Sequence, residues 1–137
     1  MSLIIGALLG FSSVAFAAYA EHGLQRHVSP AAFHSLMTAI HYQQLHALML
    51  VSIGLALGTQ PAAIGKILRY AAFAFILGIA CFCFSIYAAV ILALPELSRF
   101  APFGGSTLML GWMTLAYAGW KMRRARKSLP DAAADPK

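Results

Sequence analysis

Residues 34–46, HSLMTAIHYQQLH, set His34, His41 and His46 beside Ser35, Thr38, Tyr42, Gln43 and Gln44 in a stretch whose surroundings are apolar. Imidazoles in such a setting can ligate a metal, relay protons or bond one helix to another, and spacing narrows the choice. On a helix His34 and His41 stand two turns apart, and His41 and His46 are turned by roughly 140°. Neither makes the i, i+3 or i, i+4 pair that chelates a metal within one helix. Ligands would have to converge from His22 or His27, or from the thioethers of Met37, Met49, Met109 and Met113, which suit copper(I). Cys81 and Cys83 fall on nearly opposite sides of a helix, so CFC is neither a CxxC pair nor a disulfide, and both read as small packing residues. The expectation is no metal and no cofactor.

Acid–base chemistry is equally thin. The chain has four acids, of which Asp131 and Asp135 lie near the C-terminus and only Glu21 and Glu96 flank apolar segments, so a carboxylate relay in mid-membrane is missing. GxSxG, the phosphate-binding P-loop and the dinucleotide fingerprint are absent from the sequence. We therefore expect no catalytic residue and no enzyme.

The elements that carry these residues follow from composition. With 61% hydrophobic and 10% charged residues and a mean hydropathy of +0.75, the 137-residue chain departs from soluble domains, whose charged fraction is about 25%. Four stretches, 3–20, 31–58, 68–94 and 104–120, reach or approach the roughly 20 residues needed to cross a hydrocarbon core about 30 Å thick. Their continuous apolar character excludes the alternating strands of an outer-membrane barrel. Little chain remains for a soluble domain. The fold class expected is all-α: an integral membrane four-helix bundle, residues 1–121, followed by a basic and then disordered tail over 122–137. AFAAYA before Glu21 resembles a signal-peptidase site, but MSLIIGALLG lacks the basic n-region, so the first segment is read as a retained helix.

Net charge is +6, and its distribution speaks against nucleic acid. Lys121, Arg123, Arg124, Arg126 and Lys127 follow the fourth segment directly, as a cytoplasmic anchor does. With both termini cytoplasmic, Lys66, Arg69 and Lys137 join them inside, against Arg26 and Arg99 outside. That asymmetry points to a multi-pass protein of a bacterial inner membrane.

Two features prepare the segments to pack. Gly6, Gly10, Ser13 and Ala17 form a stripe of small residues on the first helix, and Gly104, Gly105 and Gly111 lighten the fourth, permitting close backbone approach. Ser29-Pro30 reads as an N-cap and first-turn proline that starts the second helix. His46, about 24 Å from that start at 1.5 Å per residue, is the deepest histidine and needs a buried partner. His34, four residues into the helix, reads as wet, and His41 as either interfacial or partnered.

AEHGL at 20–24, TAIHYQQLHALML at 38–50, FCFSIY at 82–87 and PFGGSTLMLGW at 102–112 resemble the YgdD/YwdK-like small membrane proteins, a widespread family of unknown function. The resemblance spans about 120 residues. It implies a four-helix inner-membrane protein with no established activity, and by motif position it picks out His22, Gly23, Thr38, Tyr42, Gln43, His46, Gly104, Gly105, Gly111 and Trp112. His34 and His41 fall where the pattern is free. Here Glu21 replaces a small residue before the HG pair, adding a charge available to Arg26 or Arg99, and Phe84 replaces a glycine, removing a close-packing position from the third helix.

The expected function is that of an accessory or assembly component of a larger membrane complex, or a self-associating bundle. In it His22, Thr38, Tyr42, Gln43 and His46 form an interhelical polar network near the outer end. The alternative is a binding or transport protein in which His22 and His46 share an outer pocket for a small ligand, lipid headgroup or metal.

Overall fold

The computed structural model describes residues 1–127. Four α-helices follow in chain order: α1 (Ser2–Tyr19), α2 (Pro30–Ala56), α3 (Ala62–Ile91) and α4 (Ala101–Lys127). The expected tail disorder falls on residues 128–137, outside the described residues. Each helix packs on the next in sequence, so α2 and α3 lie between α1 and α4. By length and composition, α1 with the turn that extends it (2–24) and α3 are apolar enough to cross a membrane. The polar 34–46 stretch dilutes α2, and the glycine, serine and threonine residues over 104–114 dilute α4.

The ends of the helices follow local chemistry. Beyond Tyr19 the chain does not loop out at residue 21 as expected but widens into one π-helical turn, Ala20–Leu24, closed by the Gln25 N–H donating to the Ala20 carbonyl at 3.0 Å. Gly23 allows it, because a Cβ there would stand 3.2 Å from the Tyr19 ring. Ser29 caps α2, its Oγ accepting from the Ala32 N–H at 3.2 Å, with Pro30 in the first turn. Pro61 starts α3 earlier than the expected residue 68, since Ile64 and Gly65 bury themselves and make the first turns worth forming. The same helix stops short of residue 94. Ala93 enters the left-handed region with φ of 53°, and the Leu94 N–H donates back to the Ala89 carbonyl at 3.0 Å, the terminating geometry usually given to glycine. A 3₁₀ turn, Pro95–Phe100, then feeds α4 without a break. This helix begins before residue 104 and continues past residue 120, so all five anchor residues ride on its last turns. Among the described residues no ion pair forms, and the expected contacts of Arg99 with Glu96 or Glu21 are not made.

Within the α1–α2 and α3–α4 pairs, glycines face the partner's backbone or core side chains. A Cβ on Gly6 of α1 would lie 2.8 Å from the Ala47 carbonyl oxygen and the Val51 nitrogen of α2, and one on Gly54 of α2 would lie 2.7 Å from the Leu3 nitrogen of α1. Gly10 touches the Ala47 Cβ more loosely, Ser13 is buried with its hydroxyl donating to the Gly10 carbonyl, and Ala17 packs against the core. Between α3 and α4, Gly104 sits on the Phe82 backbone, Gly111 on the Phe75 ring and Gly78 on Leu108, while Gly105 only grazes Phe82. Phe84, where a glycine was missed, points outward at 46% exposure, so the approach of α4 does not depend on it. The seam between α2 and α3 is filled by larger side chains, among them Leu36, Ile40, Leu50, Phe75 and Ile79.

Gly104→Ala should destabilise the fold by about 1–3 kcal/mol through overpacking. Gly119→Ala, at a site with nothing within 4 Å of the added carbon, should be neutral or stabilise by up to about 1 kcal/mol through helix propensity. Unfolding in bicelles compares the two, and equal effects would contradict the close approach at Phe82. Ala93→Gly should stabilise by about 1 kcal/mol by relieving the left-handed alanine; an unchanged midpoint in the same titration would count against that conformation.

Candidate functional site

The polar face of α2 resolves into two junctions. At the first, the buried Gln43 side chain reaches α1 and α3 together. Its Nε2 donates to the Leu9 carbonyl at 2.8 Å and to Ser12 Oγ at 3.0 Å, and its Oε1 accepts the Tyr87 hydroxyl at 2.8 Å. Ser12 in turn donates to the Leu9 carbonyl at 3.0 Å, closing a small ring of bonds on α1. The amide thus ties three helices while both its N–H groups and its oxygen are occupied. Phe16 of α1 packs against the Tyr87 ring at 4.6 Å between centroids, shielding this corner.

At the second junction, one turn further along α2, His46 meets α4. An indole N–H can only donate, so the 3.1 Å contact from Trp112 Nε1 makes His46 Nε2 the acceptor. The proton then resides on Nδ1, which donates to the Tyr42 carbonyl at 2.7 Å. This fixes a neutral imidazole with both nitrogens engaged. Phe75 packs against both rings, 5.4 Å from His46 and 5.5 Å from Trp112. It comes so near because the residue before Trp112 is Gly111, whose missing Cβ leaves room for the Phe75 ring.

The expected five-residue network is therefore divided. Gln43 and His46 bond across helices. Tyr42 contributes its carbonyl and a ring that packs on Phe82 at 5.0 Å, while its side chain is 44% exposed. Thr38 donates only to the His34 carbonyl of its own helix, at 2.9 Å. His22 is exposed on the π-helical turn, and among the described residues no hydrogen bond joins it to the others. Ser12, Tyr87 and Trp112 complete the junctions and were not expected there. Ser12 lies one place off the small-residue stripe, Tyr87 lies within a segment read as apolar, and Trp112 was picked out by the resemblance with no partner assigned. Among the described residues no three of His, Cys, Asp and Glu gather as metal ligands.

Chemically, these junctions hold helices. Neither His46 nitrogen offers a free lone pair or an unbonded proton, so using it as a base or ligand would first break the bond to Trp112 or to Tyr42. Each such interhelical bond in a bilayer is worth about 0.6 kcal/mol on average and about 1.7 at most.

Residues 16–105 match the family described as "protein of unknown function (DUF423)". The chain belongs to this family. A "UPF0382 membrane protein" of Haemophilus influenzae is 30% identical over 121 residues, covering 88% of this chain and 94% of that protein. Proteins of the same description from Staphylococcus aureus (strain bovine RF122 / ET3-1) and Staphylococcus haemolyticus are 31% and 29% identical over 119 residues, covering 87% of this chain and 94% of each. No solved structure matches. This is thus an all-α membrane protein of the DUF423 family. The matched span contains Gln43, His46 and Tyr87, while Ser12 and Trp112 lie beyond its two ends.

His46→Leu and Trp112→Phe should each destabilise the protein, but the double variant should cost less than their sum, by roughly 0.6–1.7 kcal/mol. Steric-trap unfolding in bicelles supplies the cycle; strict additivity would mean that the Trp112 to His46 bond contributes nothing.

Proposed function

We propose that this protein is a non-enzymatic component of a bacterial inner membrane that works by associating with other membrane helices, either as an accessory or assembly subunit or with further copies of itself. The observation that carries this reading is Gln44. It lies about 21 Å along α2 at 1.5 Å per residue, half-buried in a groove between α1 and α2 that is also lined by Gly6, Gly10, Ser13 and Val51. Its neighbour Gln43 is fully bonded, yet among the described residues Gln44 has no hydrogen-bond partner. A carboxamide at mid-helix in hydrocarbon is costly until it meets another polar group, and small residues beside it let a second backbone come close.

Four crossings with both termini cytoplasmic fit this reading. Every helix exposes large apolar residues suited to lipid: Phe11 on α1, Leu48 on α2, Phe73 on α3 and Met113 on α4. The basic end of α4 favours the cytoplasmic side. The resemblance to the YgdD/YwdK-like proteins supports the same architecture. A shared outer pocket of His22 and His46 is disfavoured by the two bonds that occupy His46.

Native mass spectrometry of the tagged chain released from its own membranes in mild detergent tests the proposal. Co-eluting membrane subunits or a homo-oligomer are expected, with Gln44→Leu lowering the associated fraction severalfold. A lone chain carrying a stoichiometric metal, haem or other small molecule would replace this reading with a binding function.

A further inference from the structure

The cations at the basic end of α4 are not equally engaged. Lys121 lies over the Tyr117 ring at 5.7 Å and Arg124 over the Trp120 ring at 4.6 Å, so these cations are engaged on their own helix face. Arg123, Arg126 and Lys127 follow i, i+3 and i+4 spacing, and Arg123 and Lys127 also border a smaller hollow with Trp120 and Arg124. They line a cavity of about 890 Å³ whose floor is Pro61, Ile64 and Met122, with the Gln60 amide at its side. Among the described residues its lining includes no acid, and none of the three cations has an ion-pair or ring partner. Gly119 borders the hollow and faces open space, an added Cβ there meeting nothing within 4 Å.

We infer that this cavity is a binding site for one anionic phospholipid, its phosphate held by Arg123, Arg126 and Lys127 and the first part of its acyl chains lying on Ile64 and Met122. Three like charges on one helix face repel, and a phosphate relieves that repulsion while accepting several N–H donors. An apolar floor adjoining a basic rim matches the junction of headgroup and acyl chain, which a free anion does not need. The partner is a lipid in the same leaflet as the basic helix end, and the site does not depend on helix association through Gln44.

The test adds phosphatidylglycerol or phosphatidylcholine to the purified full-length chain in detergent and reads bound lipid by native mass spectrometry. One phosphatidylglycerol should bind in preference to phosphatidylcholine. Arg123→Gln/Arg126→Gln/Lys127→Gln should lower its occupancy by roughly tenfold or more. Gly119→Leu, which pushes a branched side chain into the hollow without changing charge, should lower it severalfold, while Lys121→Gln/Arg124→Gln should leave binding within about twofold. Circular dichroism confirms that each variant is folded. Equal losses in the two charge variants, or no loss in Gly119→Leu, would overturn the site in favour of diffuse attraction. Displacement of the lipid by equimolar inorganic phosphate would overturn the lipid as its occupant.

Discussion

Hydrocarbon offers no hydrogen bonds, so a buried amide must find every partner inside the protein, and the fold turns on how Gln43 does so. Its side chain meets a backbone carbonyl and a hydroxyl on α1 and a phenol on α3. Those three contacts set the rotation of α1 and α3 about α2, because turning any of the helices would leave a polar atom unpaired. His46 repeats the device toward α4 through Trp112. The apolar core can accept many arrangements of similar volume, whereas these directional bonds accept few.

Glycine pairs serve a different end. Gly6 and Gly54 bring α1 and α2 nearly into backbone contact, Gly104 does so for α3 and α4, and Gly78 and Gly111 make room there for Leu108 and Phe75. Dispersion grows with such proximity, which matters where burial of apolar surface no longer drives association. The two mechanisms are complementary. Close approach holds each sequential pair, and polar bonds and large side chains such as Phe75 join the pairs.

Much of this was legible in the sequence because length and hydropathy report helices directly. The start of α2 at Ser29-Pro30 and the depth of His46 followed from local chemistry and helix rise, while Gln43 was singled out by motif position. The partners of those two residues did not, since neither Ser12 nor Tyr87 carries a signal that separates a bonded hydroxyl from an incidental one. Gly54 and Gly78 escaped notice as they lie outside any stripe, their role being set by Leu3 and Leu108 across the interface. His22 was grouped with the network on motif position, but a wide turn carries it into the open. Helix ends shifted where tertiary burial extended a favourable turn, as at Ile64, or where a left-handed residue stopped it, as at Ala93.

The separation of the bonded residues along the chain has a consequence for biosynthesis. Gln43 is made after both its α1 partners but 44 residues before Tyr87, and His46 precedes Trp112 by 66. A nascent chain that has delivered only α1 and α2 therefore holds a half-satisfied amide and an imidazole lacking its indole donor. The first pair is competent to zip together but incomplete, and the ribosome must release α3 and α4 before the polar ledger closes. Premature termination after residue 60 would leave a helix pair with adhesive groups exposed, open to mispairing with another helix.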